Sequence, residues 1–412
     1  MIGYKDNILM CEDIDIRELA EVYDSPFYVY SKNDILNKIR FLKDIFSSLD
    51  NVLIAYAVKA ENNLSILKMM ADEGIGADVV SIGETLKYIK AGGKAENIVF
   101  SGVGKTEEEI RKSIELNIKR FNIESIPEAV RINSIAKEMK KRVKCSIRVN
   151  PNVDAHTHEK ITTGVTGNKF GISIKTIREN ASLLKSLDNI SIESLSMHIG
   201  SQMTDSEPFY KAILAMKDFI NDVNSMGFNI TDIDIGGGYG VRYDKNSSGF
   251  DFEHFKSKSI SLLKEMNLNV TTEPGRYLVA ESGAFIMRVE YIKEEFGRKY
   301  AILDGGMNDY IRVAMYDAYN DICPLVKKEN VSNYDFVGPI CESSDFFAYN
   351  RECSLIEEGD YVALLDAGAY GFSMSSNYNS RPLISQIMVD KDKHYIIRKR
   401  QTFEDMIANE II

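Results

Sequence analysis

Short apolar runs alternate with longer stretches of helical periodicity between residues 26 and 275. After an opening strand-like run at Pro26–Tyr30 and a helical pattern at Asn33–Leu49, eight further runs are predicted to be strands. These runs are Leu53–Lys59, Ala77–Ser81, Ile98–Ser101, Arg120–Glu124, Cys145–Asn150, Leu195–Gly200, Ile233–Gly237 and Val270–Pro274. Helical patterns separate them, as at Glu107–Leu116, Ile126–Lys141, Ser206–Met226 and Phe252–Met266. Eight alternations in roughly 250 residues indicate an α/β fold of the (β/α)8 TIM-barrel type, with a doubly wound open sheet as the competitor.

The position of unusual residues favours the barrel. Polar and glycine residues follow the predicted strands at their carboxyl ends, the face where barrel enzymes place their chemistry. A twisted open sheet would use only its switch point. The residues concerned are Lys59, Asp78, Asn150, His198, Gly236–Gly238 and Glu273–Arg276.

The pattern of apolar and polar positions changes after about residue 280. Short β-rich runs follow one another with little helix between them, which indicates a second, mostly β domain. These runs are Val289–Ile292, Tyr300–Leu303, Tyr334–Val337, Tyr361–Leu365, Ile384–Val389 and Tyr395–Arg400. We therefore expect a barrel domain over residues 26–278 and a β domain over 279–412, joined by the N-terminal segment 1–25.

Composition narrows the class of protein. The 412 residues are 44% hydrophobic and carry a formal net charge of −11, which argues against nucleic-acid or anionic-membrane partners. We expect neither a membrane span nor a secretion signal, and the five scattered cysteines indicate no disulfide framework. These features predict a cytoplasmic globular protein. The pair His156 and His158 lacks the further ligands that a metal site needs, so no metal is expected.

Four strand-end residues can carry chemistry. Lys59, among apolar neighbours, can attack a carbonyl, although a lysine reaching solvent is the plain alternative. Asp78 can pair with Lys59 or simply cap a loop. Glu273, in Glu-Pro-Gly-Arg, can bind a protonated ring nitrogen or form a structural ion pair. His198 can stack on a flat cofactor or bind a metal.

Three further segments are candidates for binding. The run Gly236–Gly238 can offer backbone N–H groups to a phosphate, or form a tight turn. Ser101–Thr106 resembles part of a nucleotide P-loop but lacks its first glycine, and we discard it. In the β domain, Cys341 adjoins Glu342 and Tyr370 sits in a small-residue turn, and either segment can equally be structural.

Taken together, these segments resemble the fold-type III pyridoxal-phosphate-dependent decarboxylases, along almost the whole chain. In this order and spacing they form a specific signature. The matching segments are Tyr56–Ala60, Gly76–Ser81, Arg148–Pro151, Asp154–His158, Lys169–Ile172, His198–Gln202, the Gly236 run, Glu273–Arg276, Asn308–Arg312, Ala314–Tyr316, Cys341–Ser343 and Ala367–Gly371. The resemblance implies an alanine-racemase-like barrel with a β-sandwich or β-barrel domain.

The resemblance also implies roles for these residues. Lys59 would hold the cofactor, with Asp78 beside it, while His198 would stack on the ring and Glu273 would keep its nitrogen protonated. Cys341 would protonate the carbanion left when CO2 departs. The phosphate would be held by Ser201, the amides of Gly236, Gly237, Gly238, Gly275 and Arg276, and Tyr370.

The substrate and assembly follow from the same resemblance. Arg276 and Arg312, with Tyr316 and Tyr370, would bind a distal carboxylate, and Glu342 the distal ammonium. This set favours meso-2,6-diaminopimelate, giving L-lysine. Ornithine, arginine or carboxynorspermidine are the alternative substrates, and a non-catalytic or racemase homologue is a further reading. The family shares its active site across a homodimer, so Cys341 would serve the partner.

Overall fold

The computed structural model describes residues 1–150, 169–244 and 247–412. The strands are β1 Ile2–Lys5, β2 Ile8–Cys11, β3 Ile14–Asp15, β4 Phe27–Ser31, β5 Val52–Ala57, β6 Gly76–Val79, β7 Ile98–Phe100, β8 Arg120–Ile123, β9 Val143–Asn150, β10 Ile172–Ser173, β11 Ile190–Ser196, β12 Asp232–Asp234, β13 Asn269–Thr272, β14 Gly283–Glu295, β15 Arg298–Leu303, β16 Ile322–Pro324, β17 Val331–Val337, β18 Phe346–Ser354, β19 Tyr361–Leu364, β20 Ser385–Asp390 and β21 Lys393–Arg398.

The helices in the same ranges are α1 Ile16–Val22, α2 Lys32–Ile45, α3 Leu64–Asp72, α4 Ile82–Lys90, α5 Glu107–Leu116, α6 Ile126–Glu138, α7 Ile174–Glu179, α8 Ala181–Lys185, α9 Glu207–Ser225, α10 Phe252–Phe255, α11 Ser261–Met266, α12 Arg276–Val279, α13 Arg312–Tyr316 and α14 Phe403–Ile407. The chain forms two compact units. The barrel unit comprises residues 39–241 and 248–277, and the β unit comprises residues 1–38, 242–247 and 278–412.

Eight parallel strands close the barrel unit. Their order is β5, β6, β7, β8, β9, β11, β12 and β13, and β13 pairs with β5 to complete the ring. Every residue of β6, β7 and β8 is buried, as expected for parallel strands that are covered on both faces. The predicted TIM-type barrel is therefore confirmed, and the open sheet is excluded.

Local sequence signals set where the barrel helices begin and end. Thr106 and Glu109 form a capping box at the start of α5, and Asn117 ends that helix in the left-handed conformation. Ser125 caps α6, with a proline in its first turn. These caps fix where each helix begins, with six residues between β7 and α5 and two residues between β8 and α6, and the carboxyl ends of the strands lead into these connections.

The β unit contains a mixed sheet in the order β18, β17, β15, β14, β4, β20 and β21. Its core includes Leu9, Phe27, Val29, Ile286 and Ile387, all buried. The second, mostly β region predicted from sequence is confirmed.

One strand lies elsewhere than its pattern suggested. The run Pro26–Tyr30 was read as the opening of the barrel, but β4 pairs with β14 and β20 in the β unit. All five residues of β4 are buried, because it lies in the middle of that sheet. A fully apolar run looks the same in either sheet, so periodicity alone does not assign it.

Several short elements escaped the sequence interpretation. The hairpin of β1 and β2, the short strand β16 and the polar strand β18 were not predicted. Asn350, Arg351 and Glu352 interrupt the apolar pattern of β18, so the strand has no continuous apolar or alternating run to reveal it. No helix in the described part of the chain is long and apolar enough to cross a membrane.

Candidate active site

A cavity of about 390 Å³ opens at the carboxyl ends of the barrel strands. It brings together Lys59, Asp78, His198 and Glu273, all within the barrel unit. Lys59 lies in a one-turn 3₁₀ helix directly after β5, and Asp78 lies in β6. His198 and Glu273 follow β11 and β13. Residues far apart in sequence therefore face one another because each follows a parallel strand of the same ring.

Lys59 and Asp78 form the amine side of the cavity. The Lys59 Nζ lies 3.8 Å from Asp78 Oδ2, and the lysine side chain is 44% exposed while the carboxylate is 1% exposed. Burial raises the pKa of Asp78, and the neighbouring Lys59 opposes that shift. Among the described residues, Asp78 Oδ1 has no hydrogen-bond partner. A buried acceptor of this kind is suited to a ligand donor.

Glu273 forms the acidic side of the cavity. Burial raises the pKa of Glu273 well above its usual value, and the carboxylates of Asp234 and Asp78 raise it further. Its Oε1 accepts a hydrogen bond of 3.2 Å from Asn122 Nδ2. Three clustered carboxylates disfavour full ionisation, so a cationic group placed against Glu273 would be strongly stabilised.

His198 is held neutral. Burial lowers the pKa of His198 well below its usual value, and the positive charges of Arg148 and Lys59 lower it further. The Gly237 N–H donates to His198 Nδ1 over 3.3 Å, which assigns the ring hydrogen to Nε2. An uncharged planar ring at the cavity wall is suited to stacking on a flat, cationic ligand.

The glycine run is required by close packing. A Cβ on Gly237 would lie 2.0 Å from the Glu273 carbonyl oxygen, and one on Gly238 would lie 2.2 Å from the Gly200 carbonyl oxygen. Gly236 and Gly238 also have positive φ. The Gly236 N–H donates to Asp234 Oδ1 and the Gly237 N–H to His198. The run therefore brings His198 and Glu273 together, in addition to any role towards an anion.

Arg276 and Ser201 lie beside this run. The Arg276 Nη2 donates to the Ser201 hydroxyl over 3.1 Å, and the arginine is buried. Ser201 follows His198 by three residues, and Arg276 follows Glu273 by three. A guanidinium, a hydroxyl and the nearby Gly275 backbone offer donors of the type that anions require.

The β unit carries the second group of predicted site residues. The buried Arg312 begins α13, and its Nη1 donates to the hydroxyls of Tyr243 and Tyr310 at 3.1 and 3.0 Å. Tyr316 ends the same short helix four residues later, on the same face. Both hydrogens of Nη1 are thus used, and the edge formed by Nε and Nη2 remains the edge for a bidentate ligand.

Cys341 and Glu342 lie on an exposed loop of the β unit. The Cys341 N–H donates to Asn379 Oδ1, and the Glu342 carboxylate accepts from the Tyr378 hydroxyl. The buried Asp345 anchors this loop by accepting from the N–H groups of Met307 and Ile340 at 2.7 Å.

Tyr370 lies in the same unit and has a φ of +57°, which is uncommon for a bulky residue. Such strain often accompanies a functional position.

Four further residues line the cavity, and none of them was assigned a role in the site from sequence. Ser101, Asn122, Arg148 and Phe170 line the cavity. Arg148 and Phe170 stand in segments that carry the family resemblance, whereas the signal for Asn122 is a polar residue within the buried strand β8. The discarded segment Ser101–Thr106 lies here too, with Lys105 buried against Glu128 at 2.7 Å.

The segment Asp154–His158 lies outside the described residues. Within the described ranges, no group of three or more potential metal ligands is present.

Comparison with known proteins shows the family to which the chain is similar. Residues 33–280 match the family described as pyridoxal-dependent decarboxylase, pyridoxal binding domain. The chain is 42% identical to a diaminopimelate decarboxylase of Haemophilus influenzae, covering 99% of this chain and 98% of the relative. A diaminopimelate decarboxylase from M. jannaschii, solved with L-lysine, has a TM-score of 0.95 at 35% identity, covering 100% and 98% of the two chains. One from Helicobacter pylori, also solved with L-lysine, has a TM-score of 0.92 at 39% identity, covering 96% and 99%.

Proposed function

The chain belongs to the pyridoxal-dependent decarboxylases, in the diaminopimelate decarboxylase family, and from that premise we propose that it converts meso-2,6-diaminopimelate into L-lysine and CO2. The observation that carries the proposal is the convergence of Lys59, His198 and Glu273 on one cavity at the carboxyl face of the barrel. An amine, a neutral planar ring and a buried acid are the groups that a pyridine cofactor with an aldehyde requires.

The cavity residues fit pyridoxal phosphate. The cavity has a volume of about 390 Å³, which lies in the range of small-ligand sites. The unpartnered Asp78 Oδ1 is a buried acceptor beside the lysine that would carry the cofactor. When bound, the cofactor supplies an electron sink for the carbanion that remains after CO2 leaves.

Each barrel residue then has a defined task. The Lys59 amine would hold the cofactor, and Asp78 lies beside that amine at the end of β5. His198 would stack on the ring of the cofactor and exclude water from that side. Glu273 would accept the proton-bearing ring nitrogen as its partner, because two neighbouring carboxylates make a cationic partner more favourable here than beside an isolated glutamate.

Phosphate binding is assigned to the neighbouring donors. We place it on the Ser201 hydroxyl and on the N–H groups of the Gly236–Gly238 run, Gly275 and Arg276, with Tyr370 from the β unit. Since the N–H groups of Gly236 and Gly237 already donate inside the barrel, their main contribution is close approach. Gly238, Gly275 and Arg276 carry most of the backbone contact in this proposal.

The substrate's distal amino-acid group is assigned to Arg312, Arg276, Tyr316 and Tyr370, with Glu342 for its ammonium. The Nε and Nη2 edge of Arg312 matches a carboxylate geometrically, while its Nη1 is held by two tyrosines. Ornithine has no distal carboxylate, so this buried guanidinium favours diaminopimelate as the substrate.

Cys341 is assigned the final proton transfer, to the carbon that loses CO2. In the single chain Cys341 and Glu342 are exposed, on a loop fixed from beneath by Asp345. We propose that a homodimer supplies this loop to the partner's active site, where the thiol would be covered.

Product identification by mass spectrometry tests the proposal. The purified protein with pyridoxal phosphate is offered meso- and LL-diaminopimelate, ornithine, arginine and carboxynorspermidine in separate reactions, with a Lys59→Ala variant as the control. L-Lysine from the meso isomer alone, absent in the control, supports the proposal. A polyamine product would overturn the substrate, and no product from any compound would overturn the activity.

A further inference from the structure

Glu273 is held by residues whose own positions are fixed deeper in the barrel. Asn122, on β8, donates from Nδ2 to Glu273 Oε1 over 3.2 Å and to the Ser101 hydroxyl over 3.0 Å. On the other side of the amide, Arg120 Nε donates to Asn122 Oδ1 over 3.3 Å. Both Arg120 and Asn122 are buried.

Arg120 is itself immobilised. Its Nη2 lies 2.7 Å from Asp234 Oδ2, and Asp234 Oδ1 accepts from the Gly236 N–H over 3.0 Å. The two side chains of this ion pair are 3% and 0% exposed. A buried, bidentate-capable guanidinium held in this way has little freedom to rotate.

This arrangement permits one orientation of the Asn122 amide. A guanidinium only donates hydrogen bonds, so the amide oxygen must face Arg120 and the NH2 group must face Glu273. The flipped amide would place its oxygen against the Glu273 carboxylate and its NH2 against the guanidinium. Both contacts would then be repulsive, in a region where buried polar groups need partners.

We propose that Arg120 and Asn122 act as positioning residues that hold Glu273 Oε1 and so orient its carboxyl group towards the ring nitrogen of the cofactor. The inference rests on the proposed function only for the identity of that ring.

A neutral amide is suited to this task. The charged groups that act on Glu273 are Asp234, Asp78 and Lys59, and Asp234 also shares a side-chain hydrogen bond with it. Arg120 is already paired with Asp234. A lysine or arginine in place of Asn122 would neutralise Glu273 and compete with the protonated ring. Asn122 orients the carboxylate without adding a positive charge.

The test uses Asn122→Asp as the principal variant. An aspartate keeps the shape of the side chain and a partner for Arg120, so the fold is retained, but it presents an oxygen to Glu273. Because the new carboxylate also raises the pKa of Glu273 by its charge alone, this variant needs an uncharged counterpart. Asn122→Leu is the second variant, because it removes the donor without adding charge. Asn133→Leu is the matched control, since Asn133 Oδ1 accepts from the Asn189 N–H elsewhere in the barrel.

The first readout is independent of turnover. Infrared titration of the Glu273 carboxyl group in the cofactor-free protein, by difference against a Glu273→Gln counterpart of each variant, reports its protonation. We expect the pKa of Glu273 to rise in both Asn122 variants, by about one unit or more, and to be unchanged in Asn133→Leu. No shift in the folded Asn122→Leu variant would overturn the proposed positioning role of Arg120 and Asn122.

The second readout is steady-state kinetics of the loaded enzyme. We expect kcat to fall roughly 10- to 100-fold in Asn122→Asp, with the KM for meso-diaminopimelate within about twofold of the parent value. If the parent enzyme forms lysine while both variants keep its kcat, the positioning role of Arg120 and Asn122 is wrong and the proposed function stands. If the parent forms no product, the proposed function fails, and the titration still decides whether Asn122 controls Glu273.

Discussion

Replacing Arg312 by lysine tests the basis of substrate choice. The change keeps the positive charge and much of the aliphatic stem, but removes the planar fork that can bind a carboxylate through two parallel hydrogen bonds. The native guanidinium uses Nη1 on Tyr243 and Tyr310 and stacks over the Tyr243 ring with its Cζ 5.2 Å from the centroid. These contacts present its remaining edge in a fixed orientation, which a flexible ammonium cannot reproduce.

The expected magnitude follows from the contacts removed. Losing one charge-assisted hydrogen bond costs about 1.5–3 kcal/mol, which corresponds to roughly a 10- to 150-fold loss in kcat/KM. The distal carboxylate is remote from the carbon that loses CO2, so its binding is equal in the ground and transition states. We therefore expect the loss to fall on KM, with kcat little changed.

Inhibitor binding isolates the carboxylate from every other contact. L-Lysine retains the distal carboxylate, whereas 1,5-diaminopentane is the same diamine without it. In Arg312→Lys we expect the inhibition constant of L-lysine to rise by the same factor as KM, and that of the diamine to stay constant. Arg351→Lys is the control, since Arg351 also stacks on a tyrosine of the β unit, with its Cζ 4.2 Å from the Tyr319 ring centroid. An equal change for both inhibitors would refute the carboxylate assignment.

Three further predictions concern the assembly, the fold and its pH dependence. Mixing equal amounts of Lys59→Ala and Cys341→Ala enzymes should restore about a quarter of the native activity. Half of the randomly formed dimers are then mixed, and each mixed dimer has one intact shared site out of two. No recovery after subunit exchange would contradict the shared site. Lys105→Met should lower the free energy of unfolding, measured in urea, by about 3–5 kcal/mol. Lys105 is 1% exposed and binds Glu128 and the carbonyl oxygens of Gly102 and Asn122. The exposed control Lys112→Met should lower that free energy by under about 1 kcal/mol. Burial raises the pKa of Asp309 to about 7, so the unfolded state binds fewer protons than the native state between about pH 4 and 7. Stability therefore falls as pH rises through that window, and Asp309→Asn should flatten this dependence when urea unfolding is measured at several pH values. An unchanged dependence would show that Asp309 does not titrate in this window.

Much of the fold could be predicted because its signals are local. A parallel barrel strand is a short apolar run buried on both faces. The start of a helix such as α5 is indicated by the capping box of Thr106 and Glu109. The same locality explains the failures. Every residue of β4 is buried, so its pattern does not say which sheet it joins, and the polar residues of β18 conceal a strand that pairing stabilises.

The candidate site likewise has a part that could be predicted from sequence and a part that could not. Lys59, His198 and Glu273 could be found from sequence because reactive residue types follow predicted strands at fixed places in their motifs. Their environment could not be found, since it depends on residues brought together by closure of the ring. Asn122 and Glu273 are 151 positions apart, and Arg120 and Asp234 are 114 apart.

The sequence by itself determined the order of strands and helices, the glycines that allow close approach, and the side chains able to react. Only the tertiary structure decided their electrostatic state. Burial beside Asp234 and Asp78 raises the pKa of Glu273, and burial near Arg148 and Lys59 keeps His198 neutral. The physical reason is that a pKa depends on desolvation and on charges a few ångströms away, and those neighbours are set by the closed barrel rather than by adjacent sequence.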